Sequence, residues 1–91
     1  MLIRSQDKEM IINMTATNRI YVEEAYRPNG NLFDISTDET ILGHYSTKAK
    51  AMKVLDMIQE AYCKFMSIKN DDAWDGKESV FYMPADSEVV V

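Results

Sequence analysis

The first half of the chain alternates between hydrophobic and polar residues over short runs, and this alternation predicts β-strands. Polar and turn-forming residues separate the runs. The clearest turn is Pro28-Asn29-Gly30, because proline presets one backbone angle and Asn-Gly accepts a tight reversal. Strands joined by short connections pair as antiparallel neighbours. The prediction is a meander over residues 1–45, whose five strands lie near 2–5, 10–14, 19–27, 31–37 and 40–45.

The alternation also assigns faces to the last two strands of this meander. In the fourth strand, Phe33 and Ile35 lie on one face, and the polar Asp34 and Ser36 lie on the other, which predicts a half-buried strand. In the fifth strand, three residues share a face and His44 lies opposite them, so His44 is expected at the surface. The three are Ile41, Gly43 and Tyr45.

After Ser46 and Thr47 the hydrophobic spacing changes to three and four residues, which predicts an amphipathic helix over residues 47–68. Either hydroxyl is a suitable N-cap. Charged residues such as Asp56 and Glu60 lie on the side opposite the apolar stripe, so the stripe is expected to pack across one face of the sheet. The stripe consists of Ala51, Val54, Leu55, Ile58, Ala61, Tyr62 and Phe65.

The remaining residues predict a loop, one more short strand and a tail. Residues 70–77 have the composition of a loop, residues 79–84 form a strand that Pro84 stops, and residues 85–91 are the tail. The predicted fold class is therefore α+β in a single domain. It has one antiparallel sheet of five to six short strands, with one long helix packed on one face, in the order β-β-β-β-β-α-β.

Composition and charge exclude several classes of function. Fifteen acidic residues against ten basic ones give a net charge of −5, which opposes direct binding to duplex nucleic acid. A single cysteine and a single histidine provide neither a disulfide nor a structural zinc site. We expect no metal and no cofactor. The charged N-terminus and the lack of a long apolar run predict a cytoplasmic protein without a membrane segment.

The residues that carry catalytic chemistry do not form a convincing site. Cys63 and His44 are expected several helical turns apart, so His44 is not a base for that thiol. Glu23 and Glu24 are neighbours on a strand and point to opposite faces. The acidic residues after position 70 do not match the spacing of a helix–loop–helix calcium site. The expectation is a protein that is not an enzyme.

Three lysines near the start of the helix break a local rule. Lys48, Lys50 and Lys53 place positive charge where the helix dipole is already positive. Such exceptions are expected at functional sites, and lysines beside free helical N–H groups suit an anion such as phosphate. The other interpretation is a solvated helix start, since lysine favours helices. The candidate anion site is His44, Tyr45, Ser46, Thr47, Lys48, Lys50 and Lys53.

Surface contacts with a partner are the second candidate. Trp74 is a large amphipathic ring among aspartates, and Met57 lies off the main apolar stripe. Because a chain this short buries only part of its apolar surface, the protein is also expected to associate with itself as a dimer or larger oligomer. The candidate partner-binding residues are Glu23, Glu24, Met57, Asp71, Asp72 and Trp74.

Four segments of the chain resemble a group of small uncharacterised proteins of Firmicutes and their phages. They are Ile3-Arg4-Ser5-Gln6-Asp7-Lys8, Leu42-Gly43-His44-Tyr45-Ser46-Thr47, the helical run at 50–62 and Phe81-Tyr82-Met83-Pro84. The resemblance implies a phage or prophage setting and no reaction.

Three hypotheses follow from these observations. The first is a non-enzymatic interaction protein that contacts a host protein. The second is an anti-defence protein that sequesters an anionic signalling nucleotide, with Tyr45 or Trp74 stacking on the base. The third is an accessory oligomeric module.

Overall fold

The computed structural model describes residues 1–68 and 79–91, which form six strands, one long helix and two short 3₁₀ turns. The predicted α+β class is confirmed. The 3₁₀ turns are Met14–Ala16 and Asp86–Glu88. The longer elements are β1 (Leu2–Arg4), β2 (Ile11–Asn13), β3 (Ile20–Ala25), β4 (Leu32–Thr37), β5 (Ile41–Tyr45), α1 (Lys48–Ile68) and β6 (Val80–Tyr82).

The strands divide between two three-stranded sheets, where the pattern indicated one. The first sheet has the order β2-β1-β6, and the second has the order β3-β4-β5. A 3₁₀ turn separates β2 from β3 because Asn13 ends β2: its side-chain oxygen accepts from the Thr15 N–H at 3.0 Å. Strand β6 pairs parallel to β1, and the many residues between these two strands provide the long connection that a parallel pair requires.

Thr47 caps the N-terminus of helix α1. The Thr47 hydroxyl accepts a hydrogen bond from the Lys50 N–H at 3.1 Å, and the Thr47 carbonyl accepts from the Ala51 N–H. The helix contacts all three strands of the second sheet. The buried core contains residues from both sheets, from α1 and from the tail: Met1, Ile3, Ile35, Leu42, Tyr45, Ala51, Val54, Ile58, Met83 and Val89.

Strand β4 is buried on both faces, which corrects the prediction of a half-buried strand. Asp34 and Ser36, expected toward solvent, are each only 3% exposed. They lie on the central strand of a narrow sheet, where side chains from β3 and β5 flank them on either side. The buried Asp34 therefore needs polar partners within the fold.

The expected shared face of Ile41, Gly43 and Tyr45 is also corrected, because β5 contains a bulge. Ile35 pairs with Gly43 while Ser36 pairs with Ile41, so Leu42 is an extra residue in the ladder. The bulge shifts the alternation by one position. Leu42 becomes buried, and Ile41 is left 44% exposed.

Within the described residues, no helix is both long enough and apolar enough to span a bilayer.

Candidate functional site

The start of α1 binds a carboxylate from the tail of the same chain. Asp86 lies in the 3₁₀ turn after β6, and its Oδ1 accepts hydrogen bonds from the Ser46 N–H at 2.7 Å and the Ser46 hydroxyl at 3.0 Å. The Lys50 ammonium donates to the Asp86 carbonyl oxygen at 3.0 Å and lies 3.4 Å from Oδ2. The predicted anion site thus holds an anion that the protein itself supplies.

A second lysine holds the end of the tail. Lys53 Nζ donates to the Val90 carbonyl oxygen at 2.7 Å. Between the two lysine contacts, Val89 is buried in the core with 5% exposure. Lys50 and Lys53 therefore anchor the tail against α1, which gives a structural reason for cations at this end of the helix. Lys48 is exposed, and its side chain makes no hydrogen bond or ion pair within residues 1–68 and 79–91.

These contacts stabilise the ionised form of Asp86. The Ser46 N–H lowers the pKa of the carboxyl group below its ordinary value of 3.8, and the Ser46 hydroxyl and the Lys50 ammonium act in the same direction. Partial burial acts in the opposite direction and does not overcome them. The carboxylate is therefore charged throughout the neutral pH range.

Tyr45 has a structural role, which corrects its assignment as a stacking residue. Its ring is fully buried, so no face is open to a nucleotide base. The Tyr45 hydroxyl donates to the Pro84 carbonyl oxygen at 2.8 Å, and burial raises the pKa of this phenol well above its ordinary value. Tyr45 thus ties β5 to the segment that follows β6.

His44 belongs to a different cluster, on the side of the second sheet that carries Asp34. The strand register places Glu23, Asp34 and His44 in one row across β3, β4 and β5. His44 Nδ1 lies 2.6 Å from Asp34 Oδ1, and an Arg27 guanidinium nitrogen lies 3.3 Å from Asp34 Oδ2. Both neighbours satisfy the buried carboxylate, which explains how Asp34 is tolerated on a central strand.

Gln6 links the two sheets beneath this cluster. Its backbone N–H donates to the Leu42 carbonyl oxygen at 2.8 Å, and its side-chain oxygen accepts from the His44 N–H at 2.8 Å. The Gln6 amide group also donates to the carbonyl oxygens of His44 and Pro84, at 3.0 and 3.2 Å. The outer edge of β5 is therefore satisfied by one residue of the β1–β2 connection.

The three predicted partner-binding residues that the structure describes lie on two different elements. Glu23 and Glu24 are exposed near the middle of β3, whereas Met57 is half-buried on α1. The other candidates, Asp71, Asp72 and Trp74, lie outside the described residues.

The first sheet carries an apolar surface that was not predicted from the sequence. The register aligns Ile11, Arg4 and Tyr82 in one row across its three strands and Asn13, Leu2 and Val80 in the next. Ile11 is 53% exposed and Tyr82 is 65% exposed. We call these six residues the outer face. A signal for it was present, since Leu2-Ile3, Ile11-Ile12 and Phe81-Tyr82 are adjacent apolar pairs that make both faces of a strand apolar.

A shallow groove lies between α1 and the segment that leads into β3. It encloses about 290 Å³ and combines apolar side chains such as Ile20 and Tyr62 with polar ones such as Asn18 and Gln59. Cys63, the only cysteine, lies at this groove and is exposed. Arg19 also lines it but is held by Asp38 at 2.7 Å.

Among the described residues, no group of three or more His, Cys, Asp or Glu side chains is placed to hold a metal ion. No protein-family model, no curated protein and no solved structure matches this chain.

Proposed function

We propose that this protein is a non-enzymatic interaction protein that binds a host protein, in the cytoplasm and in a phage or prophage setting. The setting is supported by the resemblance of its four segments to small phage and Firmicutes proteins. The contact itself is supported by the outer face, where apolar side chains are exposed on a three-stranded sheet.

The composition of the outer face favours a protein partner. Tyrosine, arginine and large aliphatic residues contribute much of the binding energy in protein interfaces. Tyr82 and Arg4 are cross-strand neighbours, and Ile11 extends the row on the other side of β1. Exposed apolar residues clustered on one face and bordered by polar groups such as Asn13 are typical of interaction sites.

The start of α1 does not favour sequestration of an anionic nucleotide. Asp86 already uses the Ser46 N–H, the Ser46 hydroxyl and the Lys50 ammonium, and Tyr45 is buried. An external anion would first have to displace the tail.

Site-specific photocrosslinking in host cells tests the proposal. A photoreactive amino acid at position 82 or 11 is expected to give a discrete crosslink to a host protein. The same amino acid at Asp56, which is exposed on α1, is the control and is expected to give none. A crosslink only between two copies of the chain would support the accessory oligomeric module instead. Absence of any specific crosslink at both positions contradicts the proposal.

A paired substitution separates binding from folding. Ile11→Thr with Tyr82→Thr removes apolar surface but keeps residues that favour strands. Because both side chains are largely exposed, the melting temperature should change little. The crosslink from a photoreactive residue at Leu2, also on this face, should disappear. Its persistence would show that the outer face does not carry the contact.

A further inference from the structure

The outer edge of β3 is the longest open strand edge in the described part of the chain. The strand has six residues, and its ladder runs only to β4. No hydrogen bond from residues 1–68 or 79–91 reaches the backbone groups on its other side. The edge of β5 differs, because Gln6 occupies it. The edge strands of the first sheet have three residues each.

The open edge carries two negative charges that the fold leaves without cations. Glu23 and Glu24 are exposed and, as neighbours on a strand, point to opposite faces of the sheet. No Lys, Arg or His among the described residues forms an ion pair with either. The cross-strand neighbour of Glu23 is Asp34, a second carboxylate, which already contacts Arg27 and His44.

We infer that the outer edge of β3 is a strand-addition site for an extended segment of a partner protein that carries two consecutive Lys or Arg residues. Directly opposite residues of paired strands point to the same face. Two consecutive cations therefore meet Glu23 on one face and Glu24 on the other. Backbone hydrogen bonds along the edge hold the segment, and the charges select it. This inference rests on the proposed function and names the chemistry of the partner at a second surface.

A second copy of this chain fits the edge poorly. Each copy carries a net charge of −5, and pairing β3 with β3 would bring four carboxylates to one interface. Such charges on an edge strand oppose self-association. They favour a basic partner instead.

A titration followed by amide NMR tests this inference with defined peptides. The probe is a ten-residue peptide in which a Lys-Arg pair is flanked by alternating valine and threonine. Comparators are the same peptide with Glu-Glu in place of Lys-Arg and the same peptide with N-methylated backbone amides. The Lys-Arg peptide should shift amide signals of residues 20–25, and both comparators should bind at least about tenfold more weakly.

Substitutions on the protein complete the test. Glu23→Gln with Glu24→Gln should lower the affinity for the Lys-Arg peptide about tenfold, because two charge pairs are lost. Asp56→Asn with Glu60→Gln on α1 makes the same change in net charge at another exposed surface and should leave the affinity unchanged. Melting temperatures of both double variants should match that of the unchanged protein.

Several results overturn the inference. Equal binding of the Glu-Glu or N-methylated peptide, no binding of the Lys-Arg peptide, or shifts on the outer face in place of β3 would each do so. Concentration-dependent shifts of β3 without peptide would assign the edge to a second copy. The crosslinks at positions 82 and 11 are measured separately, in host cells and without the peptide, so failure of the edge site and failure of the proposed function are distinguishable.

Discussion

Removal of the Asp86 carboxylate should release the tail from the start of α1. Asp86→Ala deletes the two hydrogen bonds from Ser46 and the side-chain contact with Lys50, and it keeps the hydrogen bond from Lys50 to the Asp86 backbone carbonyl oxygen. Val89, which follows the 3₁₀ turn, then loses part of the restraint that keeps it in the core. The expected result is a less stable domain with a mobile tail and an intact α1, since Thr47 still caps the helix.

The magnitude follows from the contacts. Each hydrogen bond to a buried charged group contributes about 1.5 kcal/mol or more. The side chain of Asp86 is 40% exposed, so solvent screening reduces the two Ser46 bonds to about half of that. The exposed ion pair with Lys50 adds at most about 0.5 kcal/mol. The total is about 2 kcal/mol for Asp86→Ala, and about half of it for Asp86→Asn, which keeps an acceptor.

Urea denaturation followed by circular dichroism measures the change in the free energy of unfolding, and thermal denaturation measures the change in melting temperature. A loss of about 2 kcal/mol corresponds to a fall in melting temperature of roughly 8–16 °C for a domain of this size. Asp56→Asn is the matched control, because Asp56 is an exposed aspartate on α1 without an ion pair in the described residues. A change below about 0.3 kcal/mol for Asp86→Ala would refute the anchoring of the tail.

The same contact predicts a pH dependence with a defined sign. The folded state lowers the pKa of Asp86 below 3.8, so its contribution is fully present above about that pH. It is lost as the pH falls through the lower, folded-state pKa. The difference in unfolding free energy between the unchanged protein and Asp86→Asn should therefore shrink in the most acidic samples. A constant difference across a titration from about pH 6 to pH 2 would contradict the role of the charge.

Three further substitutions probe how the sheets are joined. Gln6→Ala removes the side-chain bonds to the His44 and Pro84 backbones and should destabilise by about 2 kcal/mol in urea denaturation, whereas a neutral effect would show that the sheets are held together elsewhere. Tyr45→Phe leaves the Pro84 carbonyl without this donor and should lower the unfolding free energy by about 1 kcal/mol, with an unchanged value counting against the bond. Gly43→Ala places a Cβ 3.2 Å from Gln6 Cβ and 3.3 Å from the Tyr45 ring, so the free energy of unfolding should fall by about 1–2 kcal/mol. Equal stability would mean that the neighbouring side chains move away without cost.

Local patterns predicted the elements better than their arrangement. The spacing of apolar residues predicts α1 because helical periodicity depends on residues only three or four positions apart. Strand pairing depends on distant partners. Nothing in Leu2–Arg4 indicates a parallel partner at Val80–Tyr82, and nothing near Leu42 indicates a bulge. Burial of Asp34 was missed for the same reason, since its partners His44 and Arg27 come from other parts of the chain.

The lysines at the start of α1 predicted an anion but did not identify it. Their position near a positive helix end indicated an anion, and an anion is present. The sequence did not indicate its source, because Lys50 and Asp86 are 36 positions apart. A carboxylate of the tail and an external phosphate satisfy the same local pattern.

The sequence predicted the α+β class, the long helix with its cap, and an excess of acidic over basic residues. These properties follow from local propensity, from periodicity and from charge counts. Three features appear only in the folded chain: the division of the strands between two sheets, the bonds of Gln6 and Tyr45 to the Pro84 carbonyl oxygen, and Asp86 as the anion beside Lys50. Those features depend on hydrogen bonds between residues far apart in the chain, for which no local pattern specifies the partner.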